Sequence, residues 1–152
     1  MATVNTQPAA GAPSDVTYPS YLRLDELLSL QQARSADQHP DELLFIVVHQ
    51  ASELWFKVIL HELDGLVSCM EARDVGSALW RIRRVNALMR IVSTQLSSLD
   101  SLPPQRFLQF RGYLGSSSGS QSAQFRAIEA TSGLRDAHFM AALKEHGELP
   151  PP

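Results

Sequence analysis

The chain has 152 residues, 44% of them hydrophobic and 19% charged, which suffices for one domain with a buried core. Its formal net charge of -3 argues weakly against non-specific binding to nucleic acid, which requires a basic surface. A single cysteine, Cys69, excludes an internal disulfide and a zinc site built from cysteines, and it fits a reducing cytoplasm.

The sequence shows neither a secretory signal nor an obvious membrane span. The N-terminus lacks the basic-then-apolar order of a signal peptide, and no apolar run approaches the ~20 residues that a membrane-spanning helix needs. Arg81, Arg83 and Arg84 cluster, but Ile82 and Val85 interrupt them, which is typical of a solvated helix face. We therefore expect a cytoplasmic protein with no membrane or nucleic-acid partner.

Residues 1–17 are rich in Ala, Pro, Ser, Thr and Gly and have almost no large apolar side chain. This composition predicts a disordered N-terminal segment, or one that becomes ordered only by docking onto a partner. A short helix is predicted from Tyr21 to Gln31, and Pro19 lies just before it, where a helix tolerates proline.

Two long helices are predicted next. Pro40 and Asp41 suit the first turn of a helix that continues to about Arg73, and Asp74 is a typical N-cap for a second helix that continues to about Leu99. Apolar residues recur with helical period in both and predict a core stripe on each. The stripes consist of Leu43, Val47, Leu54, Val58, Leu63 and Val67 in the first helix and of Leu79, Ile82, Val85, Met89, Val92 and Leu96 in the second.

The rest of the chain predicts shorter helices around one loop. Pro103 and Pro104 prevent the preceding helix from continuing, and Gly115 is suited to end the helix that follows them. The stretch GSSSGSQS, 115–122, is polar and glycine-rich and predicts a loop. The helices in this part are predicted over 105–114, 124–131 and 136–146.

This pattern predicts an all-α fold, a bundle of long antiparallel helices, with one helical domain over 18–147. The Pro-rich end, 148–152, is typical of the start of a linker. It predicts that the chain is the front part of something longer.

One histidine interrupts the most apolar part of the sequence. Residues 43–48 are all apolar, and His49 follows them. Because a buried imidazole needs a hydrogen-bond partner, two interpretations are open: a core histidine satisfied by a backbone carbonyl, or a histidine that faces a ligand with an N–H or O–H group. A metal shared between His49 and Glu53, one helical turn on, is a weaker alternative.

A second polar residue lies among aromatic ones in FLQFRGYLG. Arg111 is one turn from Phe107, so it is either a surface arginine that covers the ring with its stem, or a fork that binds a substrate carboxylate. The loop that follows, 115–122, is either a flexible connector or a segment whose glycine lets the backbone approach a flat ligand.

Four motifs, taken in order, resemble the tryptophan 2,3-dioxygenase family: TYPSYLRLDELL, DELLFIVVHQASELWFK, FLQFRGYLGSSSG and QSAQFRAIE. The resemblance covers Tyr18 to about Glu129. It implies an α-helical homotetramer that binds haem b. It also implies insertion of both atoms of O2 across the indole C2–C3 bond of L-tryptophan, which gives N-formylkynurenine and opens tryptophan catabolism by the kynurenine pathway.

The resemblance also implies roles for individual residues. His49 matches the distal, catalytic histidine that meets the indole N–H, and Phe45 would pack on the indole ring. Arg111 would bind the substrate carboxylate, with Phe107 beside it. Three further matches would reach into a neighbouring subunit's pocket: Tyr18, Tyr21 and Leu22. Ser118 and Gly119 would lie against the haem and the substrate.

The chain departs from the family pattern in two respects. Ser120 stands where the family motif SSGFQS has phenylalanine, and the chain is about half the family's length. The resemblance places the proximal, iron-binding histidine in the C-terminal half, and no histidine here lies in a matching motif, so no metal ligand is assigned. Two alternatives stay open: a haem oxygenase of a modified tryptophan or indole, favoured by Ser120, and a truncated, inactive helical module that lacks the haem ligand.

Overall fold

The structure, a computed structural model, describes residues 16–134, and every regular element in that range is helical. The predicted all-α class is confirmed. By their contacts the described residues form two units, which divide between Gln32 and Ala33. The predicted helix over 136–146, the Pro-rich end and most of the predicted N-terminal disordered segment lie outside the described residues.

The first unit contains two short helices, α1 (Tyr18–Leu22) and α2 (Leu24–Leu27). Thr17 caps α1, because its hydroxyl accepts a hydrogen bond from the Ser20 backbone N–H while the Ser20 hydroxyl accepts one from the Thr17 N–H. Pro19 therefore lies inside the first turn of α1. The predicted single helix to Gln31 is wrong, because the helical part begins earlier, is divided in two and ends at Leu27. Arg23 separates the two helices in a left-handed conformation with φ of 51°.

The second unit is built on a hairpin of two long helices, α3 (Glu42–Glu71) and α4 (Val75–Leu96). Glu62 near the end of α3 pairs with Arg81 near the start of α4, and Ser52 earlier in α3 bonds Gln95 at the end of α4. The two helices are therefore antiparallel, as predicted.

After α4 the chain forms short helical elements. The α-helices are α5 (Pro104–Arg111) and α6 (Ala123–Thr131), and α6 packs against α3. The 3₁₀ turns cover Ser97–Ser101, Gly112–Leu114 and Gly119–Gln121.

The core of the second unit lies between α3, α4 and α6. The predicted stripe on α4 is partly confirmed, since Val85 and Val92 are buried. The predicted stripe on α3 is wrong: Leu63 is buried, but the other five residues are exposed, Leu43 to 55%. Because α3 is apolar around most of its circumference, periodicity alone did not distinguish between its faces. The buried cluster consists of Phe56, Ile59, Leu63, Val85, Leu88, Val92 and Ile128.

By length and composition alone, α3 is long and apolar enough to cross a membrane. The expectation from the sequence concerned only uninterrupted apolar runs, and α3 meets the criterion with polar residues included. A core helix of a helical bundle meets the same criterion, so this property is weak evidence for a membrane location.

A buried carboxylate joins α3 to α4. Glu62 is 3% exposed and accepts one hydrogen bond of 2.9 Å from Arg81 and another from Arg84. The Arg84 guanidinium also lies 3.8 Å from the centre of the Trp80 ring. Burial alone raises the pKa of Glu62, but the hydrogen bonds and the positive charges of the two arginines outweigh it, so the pKa lies below its ordinary value of 4.5.

This lowered pKa makes folding sensitive to acid. Because folding favours the ionised form of Glu62, its contribution is fully present above the ordinary pKa and is lost as the pH falls through the lower pKa of the folded state. We expect the unfolding free energy to decrease as the pH is lowered below about 4.5, and we expect this decrease to be smaller in Glu62→Gln. Denaturant titrations from neutral pH to about pH 3 measure this. Asp64→Asn, at an exposed position of the same helix, is the matched control; an equal change in both variants would contradict the assignment.

Candidate active site

Three of the residues singled out in the sequence lie in one aromatic cluster where α3 meets α5. The rings of Phe45 and His49 have centroids 4.2 Å apart, and Phe45 and Phe107 have centroids 5.5 Å apart. Phe110, which is fully buried, completes the cluster, and its ring centroid lies 5.3 Å from that of Phe107. These ring contacts fix the positions of Phe45 and His49 at the N-terminal half of α3.

One hydrogen bond defines the tautomer of His49. Its Nδ1 lies 2.7 Å from the backbone carbonyl oxygen of Phe45. A carbonyl can only accept, so in the neutral ring Nδ1 carries the proton and Nε2 carries a lone pair. The two interpretations of His49 are therefore compatible: one nitrogen is satisfied by a backbone carbonyl, and the other can accept a hydrogen bond from a ligand.

A cleft of about 230 Å³ lies beside His49. A Cβ placed on Gly119 would be 4.0 Å from His49 Nε2, so the 119 backbone passes close to the acceptor nitrogen. His49 and Gly119, both predicted site residues, thus meet in one cleft. Its walls come from α3, the end of α4, the Gly119 turn and α6, and its lining residues are His49, Ser52, Glu53, Phe56, Leu96, Gly119, Ser122 and Phe125.

Two polar side chains in this lining, Ser52 and Glu53, are held by residues on other helices. Ser52 accepts a hydrogen bond of 2.7 Å from Gln95, and its own hydroxyl donates to the Val48 carbonyl. Glu53 accepts one of 2.7 Å from the amide of Gln124 on α6. The sequence did not identify the Ser52–Gln95 and Glu53–Gln124 pairs, because each joins residues more than 40 positions apart.

The weaker metal interpretation gains no support. Glu53 lies one turn from His49 in the same cleft, but its carboxylate is bonded to Gln124. Within residues 16–134 no group of three or more metal-ligating side chains occurs.

Arg111 ends α5 and is half-buried. Its Nη1 donates a hydrogen bond of 2.8 Å to the carbonyl oxygen of Gly115. Gly115 adopts φ of 58° and ψ of -132°, a conformation that is accessible essentially to glycine alone. The guanidinium is thus tethered at one nitrogen, and its other N–H groups remain as donors for a carboxylate.

The loop 115–122 contains a short ordered turn. The Ser118 hydroxyl accepts from the Ser120 N–H, and the Gln121 side chain accepts from the Ser118 N–H. Ser118 is exposed and is not part of the cleft lining, whereas Gly119 is. Ser120 is exposed as well, and its hydroxyl lies 2.9 Å from that of Ser118.

Tyr18, Tyr21 and Leu22 belong to the first unit, on α1. Positions three and four apart share one helix face, so the three side chains form one surface. Tyr18 is 74% exposed and Tyr21 is 76% exposed. Two large aromatic side chains on one exposed face are consistent with the predicted contact to a neighbouring subunit, which no contact in this single chain tests.

The cleft has the chemistry of one wall of a haem site. Phe56, Leu96 and Phe125 offer an apolar surface, and Gly119, which has no side chain, adds its backbone to the lining beside His49. Among the described histidines, His39 uses Nε2 to bond Gln109 and His61 is exposed, while His49 lines the cleft. The described residues therefore fit a haem face, and none of them is assigned as the axial ligand.

The described part of the chain is thus an all-α protein with a histidine acceptor in an apolar cleft that has aromatic walls, a type of cleft in which small ligands commonly bind. The family model of tryptophan 2,3-dioxygenase matches residues 3–146, and the chain belongs to that family. It is 48% identical over 138 residues to the tryptophan 2,3-dioxygenase of Herpetosiphon aurantiacus, covering 88% of this chain and 53% of the relative. It is 44% identical over 142 residues to that of Kineococcus radiotolerans, covering 91% and 50%. The chain thus spans about half the length of the curated relatives it matches.

Proposed function

We propose that the protein containing this chain catalyses haem-dependent insertion of both atoms of O2 across the indole C2–C3 bond of L-tryptophan. The product is N-formylkynurenine, and the reaction opens tryptophan catabolism by the kynurenine pathway. Family membership supports the reaction class. The observation that carries the substrate is the bond from His49 Nδ1 to the Phe45 carbonyl, which leaves Nε2 as an acceptor in an apolar cleft, as an indole N–H requires.

Haem b, when bound, supplies the activation of O2, and the chain supplies position and exclusion of water. Phe56, Leu96, Phe125 and the Gly119 backbone would lie against the macrocycle, with Ser118 next to them in the same turn. Their apolar surface keeps bulk water from the reacting atoms.

At the substrate, three residues of this chain act together. His49 Nε2 accepts the indole N–H, and the Phe45 ring, 4.2 Å from the imidazole, packs on the indole. The free N–H groups of Arg111 bind the carboxylate beside Phe107 and so fix the other end of the molecule. Two fixed ends hold the C2–C3 bond in one position relative to the haem face.

The proposed assembly is a cytoplasmic homotetramer. Tyr18, Tyr21 and Leu22 would complete the pocket of a neighbouring subunit, which gives the exposed aromatic face of α1 an apolar environment.

Product analysis tests the reaction. The full-length protein is loaded with haem and given L-tryptophan under ¹⁸O2, and the product mass is measured. Two labelled oxygen atoms per product support the proposal. One labelled atom favours a monooxygenase of a tryptophan or indole derivative, and the absence of both haem uptake and product favours an inactive helical module.

His49→Ala should cause a moderate loss of rate with L-tryptophan. It removes one hydrogen bond to a neutral N–H, worth on the order of 1 kcal/mol, and with it some of the orientation of the ring. The penalty should be smaller for 1-methyltryptophan, which cannot donate that bond. Steady-state kinetics of both substrates measure the difference. Equal penalties would mean that His49 does not bind the indole nitrogen.

A further inference from the structure

A fully buried carboxylate that the proposed site does not use lies at the start of α3. Glu42 is 0% exposed and accepts hydrogen bonds from the Arg34 N–H at 2.6 Å, from the Ser35 N–H at 3.0 Å and from the Ser35 hydroxyl. Burial alone raises the pKa of Glu42, but these hydrogen bonds outweigh it and hold the pKa below its ordinary value. The ionised carboxylate therefore fixes the segment that precedes α3.

From Ser35 the hydrogen bonds continue to His39. The His39 backbone N–H donates to the Ser35 hydroxyl at 2.8 Å. The Asp41 N–H donates to His39 Nδ1 at 3.3 Å, so Nε2 carries the ring proton and donates it to the Gln109 side-chain oxygen at 2.7 Å. His39 is 8% exposed, and its ring lies 5.2 Å from that of Phe110. A continuous path thus joins Glu42 to α5.

The α5 helix depends on such contacts because it has eight residues, too few to be stable alone. Another polar contact of α5 with this region is the ion pair of Arg106 with Asp41, in which Arg106 is 47% exposed. Exposed ion pairs contribute little and are screened by salt. The bond from His39 to Gln109 is shielded by comparison, and it acts on the side of α5 that faces the start of α3.

The rotation of α5 about its own axis sets the direction of Arg111. Successive residues of an α-helix are about 100° apart, so fixing Gln109 and Phe110 fixes Arg111, which follows directly. Arg111 also donates a hydrogen bond to the Gly115 carbonyl, but the position of its Cα is set by the helix.

We infer that His39 is a positioning residue for the carboxylate end of the substrate: its bond to Gln109 fixes the rotation of α5 and thereby the place of the Arg111 guanidinium. The inference rests on the proposed function, in which Arg111 binds that carboxylate. His39 contacts neither substrate nor cofactor in this scheme, and it acts through α5 alone.

Calorimetric titration of the haem-loaded full-length protein with L-tryptophan and with tryptamine, which lacks the carboxylate, tests this. His39→Leu should weaken L-tryptophan binding about tenfold and leave tryptamine within about twofold. Gln109→Leu, at an exposed position, should do the same without endangering the fold, and the double variant should be no worse than either alone. His39→Gln, which retains an N–H donor, should recover most of the affinity.

Arg106→Ala is the matched control, since it removes an exposed contact of the same helix and should change neither ligand by more than about twofold. Equal losses for L-tryptophan and tryptamine in Gln109→Leu would show a merely structural role and overturn the inference. If Arg111→Ala discriminates between the ligands but Gln109→Leu changes neither, the inference alone fails. If Arg111→Ala itself does not discriminate, the proposed function of Arg111 fails and the inference falls with it.

Discussion

Arg111→Ala is expected to weaken the binding of L-tryptophan by about 2–5 kcal/mol, the cost of removing one partner of a charge-assisted pair. Tryptamine should be nearly unaffected, because it has no carboxylate for the guanidinium to bind. Arg111→Lys should recover only part of the loss, since an ammonium group cannot reproduce the planar fork. Equilibrium titration of the haem-loaded full-length protein measures both ligands.

Arg111 also donates to the Gly115 carbonyl, so its loss has a structural component that must be separated from the binding effect. The tryptamine titration provides that separation, because a displaced loop would affect both ligands. If Arg111→Ala weakens tryptamine as much as L-tryptophan, the arginine holds the loop and does not bind the carboxylate.

Phe110→Ala is expected to lower the unfolding free energy by about 3–5 kcal/mol, the usual cost of truncating a fully buried aromatic side chain. Phe110 is 0% exposed and lies between His39 and Phe107, so truncation leaves a cavity at the junction of α3 and α5. Leu108→Ala is the matched control, because Leu108 is 69% exposed on the same helix. Its cost should be below about 0.5 kcal/mol.

Denaturant unfolding of the purified chain and both variants measures these values. Similar small losses in both would show that α5 is not packed against α3 as described. A large loss in Leu108→Ala alone would show that the helix is rotated, which would also move Arg111.

Helix positions were predictable where a local signal marks the boundary. Asp74 was expected to cap α4, and its carboxylate accepts from the Ser77 N–H at 3.1 Å. Pro104 begins α5 within one residue of the expected start, but α5 ends at Arg111, and Gly115, the expected end, instead follows the 3₁₀ turn Gly112–Leu114. These features depend on residues within one turn of each other, which is the range over which sequence patterns are informative.

The buried face of α3 was not predictable, because a helix that is apolar on most sides gives periodicity no contrast. Leu54 and Phe56 are equally apolar in the sequence, yet Leu54 is 52% exposed and Phe56 is buried. In the same way, the amide of Gln124 that holds Glu53 and the amide of Gln109 that binds His39 have no signature in the sequence. The site roles of His49, Phe45, Arg111, Phe107 and Gly119 came from resemblance, and they remain predictions, while the structure brings His49 together with Phe45 and with Gly119.

The contacts of the second unit enclose very different lengths of chain. The Glu62–Arg81 pair closes 19 residues, whereas the bonds from His39 to Gln109 and from Gln124 to Glu53 close 70 and 71. Closing a longer loop costs more entropy, and contacts distant in sequence slow folding. We therefore expect the α3–α4 hairpin to form before the cleft during folding. A partly folded chain can therefore contain its helices before the residues of the cleft have come together.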